Sequence, residues 1–118
     1  MSREFDFPHA DTSFFAAVAK RILSNPLPDE TASSRMKQIA FMGVLYQIKV
    51  SGCEPTINLI MDVTGLPRAS MTKFMEPLLL RQMIRERTTL NVVGKGRAYI
   101  LDIHEDFLSA LNPFTRTF

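Results

Sequence analysis

Two histidines, one cysteine and twelve carboxylates are the raw material for catalysis in this 118-residue chain, and their spacing does not assemble them. His104, Glu105 and Asp106 are adjacent, so on a regular element they point in different directions and cannot converge alone. His9 and Asp11 lie near the N-terminal end. Two histidines and a lone cysteine fall short of a closed zinc site, though carboxylates could complete an adventitious one. Gly94-Lys95-Gly96 lacks the spacing and the Ser/Thr of a phosphate loop. Cys53 could act as a redox-sensing thiol. With no base nearby beyond Lys49, a small structural cysteine is the plainer reading. The seven methionines could line an adaptable ligand pocket or simply fill a core. From these residues no catalytic site, no cofactor and no metal site is expected.

The chemistry with coherent spacing is cationic. From Leu66 to Arg97 the chain holds Arg68, Lys73, Arg81, Arg85, Arg87, Lys95 and Arg97 against Glu76 and Glu86, a net +5 that leaves −3 elsewhere. Such a segment attracts a polyanion, and an unevenly charged solvated surface is the alternative. Within it, Met71, Phe74, Met75 and Leu78 fall at i, i+3, i+4 and i+7, one apolar stripe of a helix starting at Pro67 or Arg68. Arg68, Ala69, Ser70, Thr72 and Lys73 occupy the opposite face. Small residues let a backbone approach a DNA major groove, hydroxyls can bond bases or phosphates, and Arg or Lys can read guanine edges. The helix N-terminus adds partial positive charge. An ordinary amphipathic helix whose outer face lacks acids is the competing reading.

Other elements must hold that helix in place. A preceding helix is expected with Pro55 in its first turn and Ile57, Ile60, Met61 and Val63 on its inner face. Thr64-Gly65-Leu66 closes it, Gly65 supplying the left-handed conformation of a sharp turn. After the basic helix, Met83–Arg87 and Leu90–Val93 read as two short strands around Thr88-Thr89. Ile84, Leu90 and Val92 face inward there, and Arg85 and Arg87 face solvent near the tip, as on a wing that touches the DNA backbone or minor groove. Thr88-Thr89 lacks the Asn-Gly signature of a tight turn.

Upstream, residues 1–10, with Phe5, Phe7 and Pro8, read as an arm expected to pack against something. A helix runs from Asp11 or Thr12 to about Leu23, and Asn25-Pro26 and Pro28 break it. A broad apolar helix spans about Ser34 to Val50, stopped by Ser51-Gly52. Downstream, Tyr99, Ile100, Ile103, Phe107, Leu108 and Leu111 suggest a helix over residues 96–111. The terminal elements carry more apolar surface than one small core easily hides. They therefore predict a homodimer joined through Phe14, Phe15, Val18, Ile103, Phe107 and Leu111. The alternative is that both terminal helices pack within a monomer.

The run Ile57-Asn58-Leu59-Ile60-Met61-Asp62-Val63-Thr64-Gly65-Leu66-Pro67-Arg68-Ala69-Ser70-Met71-Thr72-Lys73-Phe74-Met75 resembles the MarR-type winged helix-turn-helix regulators. Val92-Val93-Gly94-Lys95-Gly96-Arg97-Ala98 is similar to the family's passage from the wing into the next helix. The resemblance covers roughly residues 34–111 and is strongest over 56–99. It implies that Arg68, Ser70, Thr72 and Lys73 match groove-facing positions of the recognition helix, that Arg85 and Arg87 match the wing, and that the terminal helices match the dimerisation region. Pro77 departs from the pattern by interrupting the recognition helix, where a kink or restart is expected. Gln82 stands where a glycine commonly precedes the wing, and the hairpin is short.

The sequence therefore predicts one domain over residues 1–118: an arm and helix (1–33), a winged helix-turn-helix core (34–97), and a C-terminal helix and tail (98–118). The fold class is mainly α with a small β-hairpin wing and N- and C-terminal dimerisation helices. No apolar run is long enough to span a bilayer, and the first residues lack the apolar core of a signal peptide. A single cysteine excludes an internal disulfide and suits a reducing, bacterial cytoplasm. The expected function is sequence-specific binding of double-stranded DNA by a dimeric transcriptional regulator, a repressor. A winged-helix protein-interaction module without DNA binding is the alternative. Neither the operator nor any small-molecule effector can be read from the sequence.

Overall fold

The computed structural model describes residues 12–90 and 97–110. Its elements run α1 (Thr12–Ser24), α2 (Ala32–Val50), α3 (Ile57–Thr64), α4 (Arg68–Leu80), β1 (Ile84–Leu90), β2 (Arg97–Ile103) and α5 (Glu105–Ala110). The described residues are mainly helical, with one small antiparallel hairpin. None of their helices is long and apolar enough to cross a membrane.

α2 lies at the centre because its apolar arc is broad. Gln38, Ile39, Phe41, Met42, Leu45 and Ile48 are all buried, and the helix meets α1, α3, α4 and β2. α1 packs antiparallel to it, with the Phe14 ring near its start stacked 4.2 Å from Tyr46 near the end of α2. Thr31 caps α2, its hydroxyl accepting from the Ser34 N–H at 2.9 Å. At the other end Gly52 adopts φ 87, while the Gly52 and Cys53 N–H groups bond to the Lys49 and Ile48 carbonyls. That pair of bonds is a Schellman stop.

α4 ends in the same way without a glycine. Gln82 sits at φ 60, its N–H donates to Leu79 and that of Met83 to Leu78, and both Met83 and Leu78 are buried. An L side chain is strained in this left-handed region. Gln82→Gly is therefore expected to raise the unfolding free energy by about 0.5–1 kcal/mol, after the glycine's extra unfolded-state entropy is set against the relieved strain. An unchanged or lowered urea midpoint would show that the joint carries no strain.

Several expectations need correction. The strands are not the short runs 83–87 and 90–93. Thr88 and Thr89, β-branched, continue β1 and pair with Tyr99 and Ala98, so the register runs from Ile84↔Ile103 to Leu90↔Arg97. The connection falls in residues 91–96, which lie outside the described residues, as do Val92 and Val93. Arg85 consequently pairs near the base of the hairpin, opposite Asp102, and Arg87 midway along it, opposite Ile100; neither is at its tip.

The helix expected over 96–111 is instead β2 followed by α5. Tyr99, Ile103 and Phe107 are four residues apart, which mimics a helical stripe, but the Tyr-Ile-Leu-Asp-Ile run favours an extended strand. α3 begins after Pro55, with Thr56 as its cap and the Leu59 N–H bonded to the Thr56 hydroxyl. The buried Pro55 uses its carbonyl to accept from Leu101 N–H at 2.9 Å, and Thr56 forms an antiparallel bridge with Ile100.

α4 runs unbroken through Pro77 to Leu80. Lys73, whose carbonyl loses its intrahelical donor, is exposed, so water can serve that carbonyl. Of the residues assigned to a subunit interface, Phe14, Val18, Ile103 and Phe107 are buried in the chain's own core. Phe15 is exposed, and Leu111 lies outside the described residues.

Candidate nucleic-acid interface

The α3–α4 turn sets how the basic helix meets solvent. Gly65 adopts φ 76 and donates to the Met61 carbonyl. Thr64 braces the corner, its hydroxyl donating to the Ile60 carbonyl at 2.7 Å and accepting from the Leu66 N–H at 3.1 Å. Pro67 then takes the N-cap position, where it provides no side-chain acceptor, and no acid occupies the first turn of α4. That end of the helix keeps its partial positive charge uncompensated by its own side chains.

Met71 and Leu78 anchor α4 in the core, and Phe74 and Met75 are half-buried beside them. Arg68, Ala69, Thr72 and Lys73 are exposed. Ser70 is half-buried and lines the groove between α2 and α4 together with Lys37 and Phe74. The structure therefore brings Arg68, Thr72 and Lys73 to one surface and turns Ser70 to its edge. The Thr72 hydroxyl donates to the Arg68 carbonyl at 3.1 Å, leaving it an acceptor and a methyl to offer outward. The Arg68 guanidinium lies 5.9 Å from the Tyr99 ring centroid, which ties the start of α4 to β2. Lys73 forms no ion pair among the described residues.

The hairpin arginines have different partners. Arg87 grips Asp102 with two bonds, Nε to Oδ2 at 2.6 Å and Nη2 to Oδ1 at 3.1 Å, and reaches Glu54 at 3.0 Å. The bond from Arg87 holds the Asp102 carboxyl below its ordinary range, and the same pairing raises the guanidinium's own value. Arg85 is exposed on the neighbouring position and is free of such a grip among the described residues.

Arg81 is the residue that sequence reasoning misplaced. It belongs to the basic segment, yet its side chain is buried and its five side-chain hydrogen bonds go inward. Nη1 donates to Gln38 Oε1 at 2.6 Å and Glu30 Oε2 at 2.8 Å; Nη2 donates to Glu30 Oε1 at 2.6 Å and to the Asn25 and Ile22 carbonyls at 2.9 and 3.3 Å. Gln38 Nε2 and the Leu27 N–H also donate to Glu30. No sequence signal links positions 30 and 81, since neither lies on a shared element.

Two of the seven basic residues are thus neutralised by carboxylates from outside the segment. Lys95 and the Arg97 side chain lie outside the described residues. Arg68, Lys73 and Arg85 are the exposed cations left to a ligand. Glu76 and Glu86 line a groove of about 260 Å³ along α4 with Arg68 and Thr72, so the first two turns of α4 are its most cationic part. Among the described residues no group of His, Cys, Asp and Glu is placed to hold a metal ion. Comparison of the chain with protein-family models, curated proteins and solved structures finds no match.

Proposed function

We propose that this chain is a winged helix-turn-helix protein of the MarR type that binds double-stranded DNA in a sequence-specific manner, acting as a dimeric transcriptional repressor in the cytoplasm. The observation that carries the reading is the left-handed Gly65 turn. It presents an acid-free, uncapped helix start bearing Arg68, Thr72 and Lys73 directly beside a β-hairpin. In this reading the first two turns of α4 enter the major groove, Arg68 and Lys73 contact bases or phosphates, Thr72 packs with its methyl, and Ser70 supports the edge. Arg85 holds flanking backbone.

Arg87 contributes less than its position in the sequence implies, because Asp102 and Glu54 already satisfy it. Arg85→Ala is expected to reduce the slope of log affinity against log salt by about one unit, and Arg87→Ala by clearly less. Anisotropy titrations of labelled duplex across a salt series measure both. Equal losses would overturn this division. Selecting bound sites from random duplex DNA tests the function itself: a palindromic consensus is expected, and recovery of no consensus would remove sequence-specific recognition.

A second reading is favoured by the pairing of Arg81, in the interior, and Arg87, at the surface, with the chain's own carboxylates and by Glu76 and Glu86 flanking α4. In it the domain is a protein-interaction module that does not bind DNA. A flat salt dependence of a weak duplex affinity would select this reading.

A further inference from the structure

We propose that residues 1–11 fold back on their own chain and dock on the outward face of α1 and α2, with the Phe7 ring seated in the groove beside Gly43. Phe15, Leu23 and Met36 are 59%, 50% and 58% exposed, large apolar groups held in water by two helices. Phe14 stacks on Tyr46, which sets the level of the antiparallel pair. Leu23, about two turns further along α1, therefore comes close to the level of Met36. Phe15, Val18, Ile39 and Gly43 line a groove of about 140 Å³ between the helices, and a Cβ at Gly43 would meet nothing within 4 Å. Apolar cavities of about 150 Å³ hold a benzene ring. The groove is the size of one aromatic side chain and too small for a helix.

Charge selects the occupant. α1 and α2 contain Lys20, Arg21, Arg35, Lys37 and Lys49 and no acid. Lys20, Lys37 and Lys49 are exposed and form no ion pair among the described residues. A second copy would set this cationic face against itself. Of the stretches outside the described residues, 91–96 and 111–118 hold Lys95 and Arg116 and no acid, whereas 1–11 holds Glu4, Asp6 and Asp11 against Arg3. The acids also alternate with the rings. In an extended chain Phe5 and Phe7 share one side and Glu4 and Asp6 the other, and Pro8 biases Phe7 to that conformation. The rings then meet the apolar stripe, and the carboxylates are left to the long lysine side chains at its rim.

Length permits the return. α1 starts at Thr12, five residues after Phe7. Five extended residues span about 17 Å, whereas Phe15 lies only about 5 Å inside α1, so the excess allows the chain to reverse. With Phe7 at Gly43, Phe5 falls about 7 Å further toward Leu23 and Met36. The docked arm covers an apolar stripe that the two helices leave open to water. This docking is independent of what α4 binds.

Paramagnetic broadening of amide signals in the full chain, without DNA, provides the test. A nitroxide is attached at Glu4→Cys in a Cys53→Ser background, the native thiol being exposed. When one chain carries both nitroxide and isotope label, the amides of Phe15, Gly43 and Met36 are expected to broaden, and reduction of the nitroxide should restore them. Phe7→Ala and Gly43→Leu are each expected to lose the Met36 broadening with an unchanged circular dichroism spectrum. The second places a side chain where a Cβ meets nothing within 4 Å, so the helix tolerates it. When nitroxide and isotope label sit on different chains mixed in equal amounts, no broadening is expected. An unbroadened Met36 in the doubly labelled chain overturns the docking. Broadening that survives either substitution overturns the groove as the seat of the ring. Broadening in the mixed sample gives the arm to a second copy and overturns the fold-back.

Discussion

Arg81→Met is expected to lower the unfolding free energy by about 3–5 kcal/mol, whereas Arg81→Met combined with Glu30→Met should lose less than either single change. The Arg81 and Glu30 side chains are only 2% and 5% exposed and bond to each other at 2.6 Å. Removing one partner leaves the other charge buried with its desolvation uncompensated. Removing both replaces a polar hub with methionines able to fit the gap. Urea unfolding of the four proteins closes the cycle, and additive losses would show that the two side chains do not act as a pair.

The same pair fixes an acid dependence. Glu30 is held from an ordinary 4.5 down to about 2, first by the bond from Arg81 and further by those from Gln38 and Leu27, against burial that pushes it up. A folded value below the unfolded one means that the stabilisation is complete above about pH 4.5 and is lost as the pH falls towards 2. The shift corresponds to about 3 kcal/mol. Glu30→Gln should flatten the decline between about pH 5 and pH 3. If the variant kept the wild-type decline, another carboxylate would be responsible.

Reversing charge at Arg68 and Lys73 together, Arg68→Glu with Lys73→Glu, should reduce duplex affinity on the order of a hundredfold at physiological salt and remove about two units from the salt slope. Both residues are exposed on the first two turns of α4 and neither holds the core. The double variant should therefore fold normally. An acid at position 68 gains from the helix N-terminus roughly what the lost stacking on Tyr99 gave, each about 0.5–1 kcal/mol. Stability measured beside affinity separates recognition from folding. A stable double variant that binds within about twofold of wild type would exclude this face as the DNA contact.

The helices were legible in the sequence because each signal is local. Asn25-Pro26, Gly52 and Gly65 stop or turn the chain where expected, and the Met71–Leu78 stripe orients α4. The second strand was not, since four-residue spacing of Tyr99, Ile103 and Phe107 satisfies helical periodicity, while strand pairing depends on a partner elsewhere. The charge count overstated the free cations of its segment, since Arg81 and Arg87 are paired with carboxylates. Whether an arginine is free depends on residues as remote as Glu30 for Arg81 and Glu54 for Arg87, and composition carries no record of those distances. The terminal apolar residues misled for a related reason: Phe14, Val18, Ile103 and Phe107 find each other through the fold before any second chain is needed.

Two contacts midway along the hairpin have a mechanical consequence. The Pro55 carbonyl accepts from Leu101 and Thr56 bridges Ile100, so β2 is riveted to the residues that start α3. The strap is two residues from the helix it fixes and has no slack to act as a hinge. Hairpin and helix pair must translate together as one jaw. In the proposed dimer on DNA, a signal that changed the grip would act by altering the spacing between two such units.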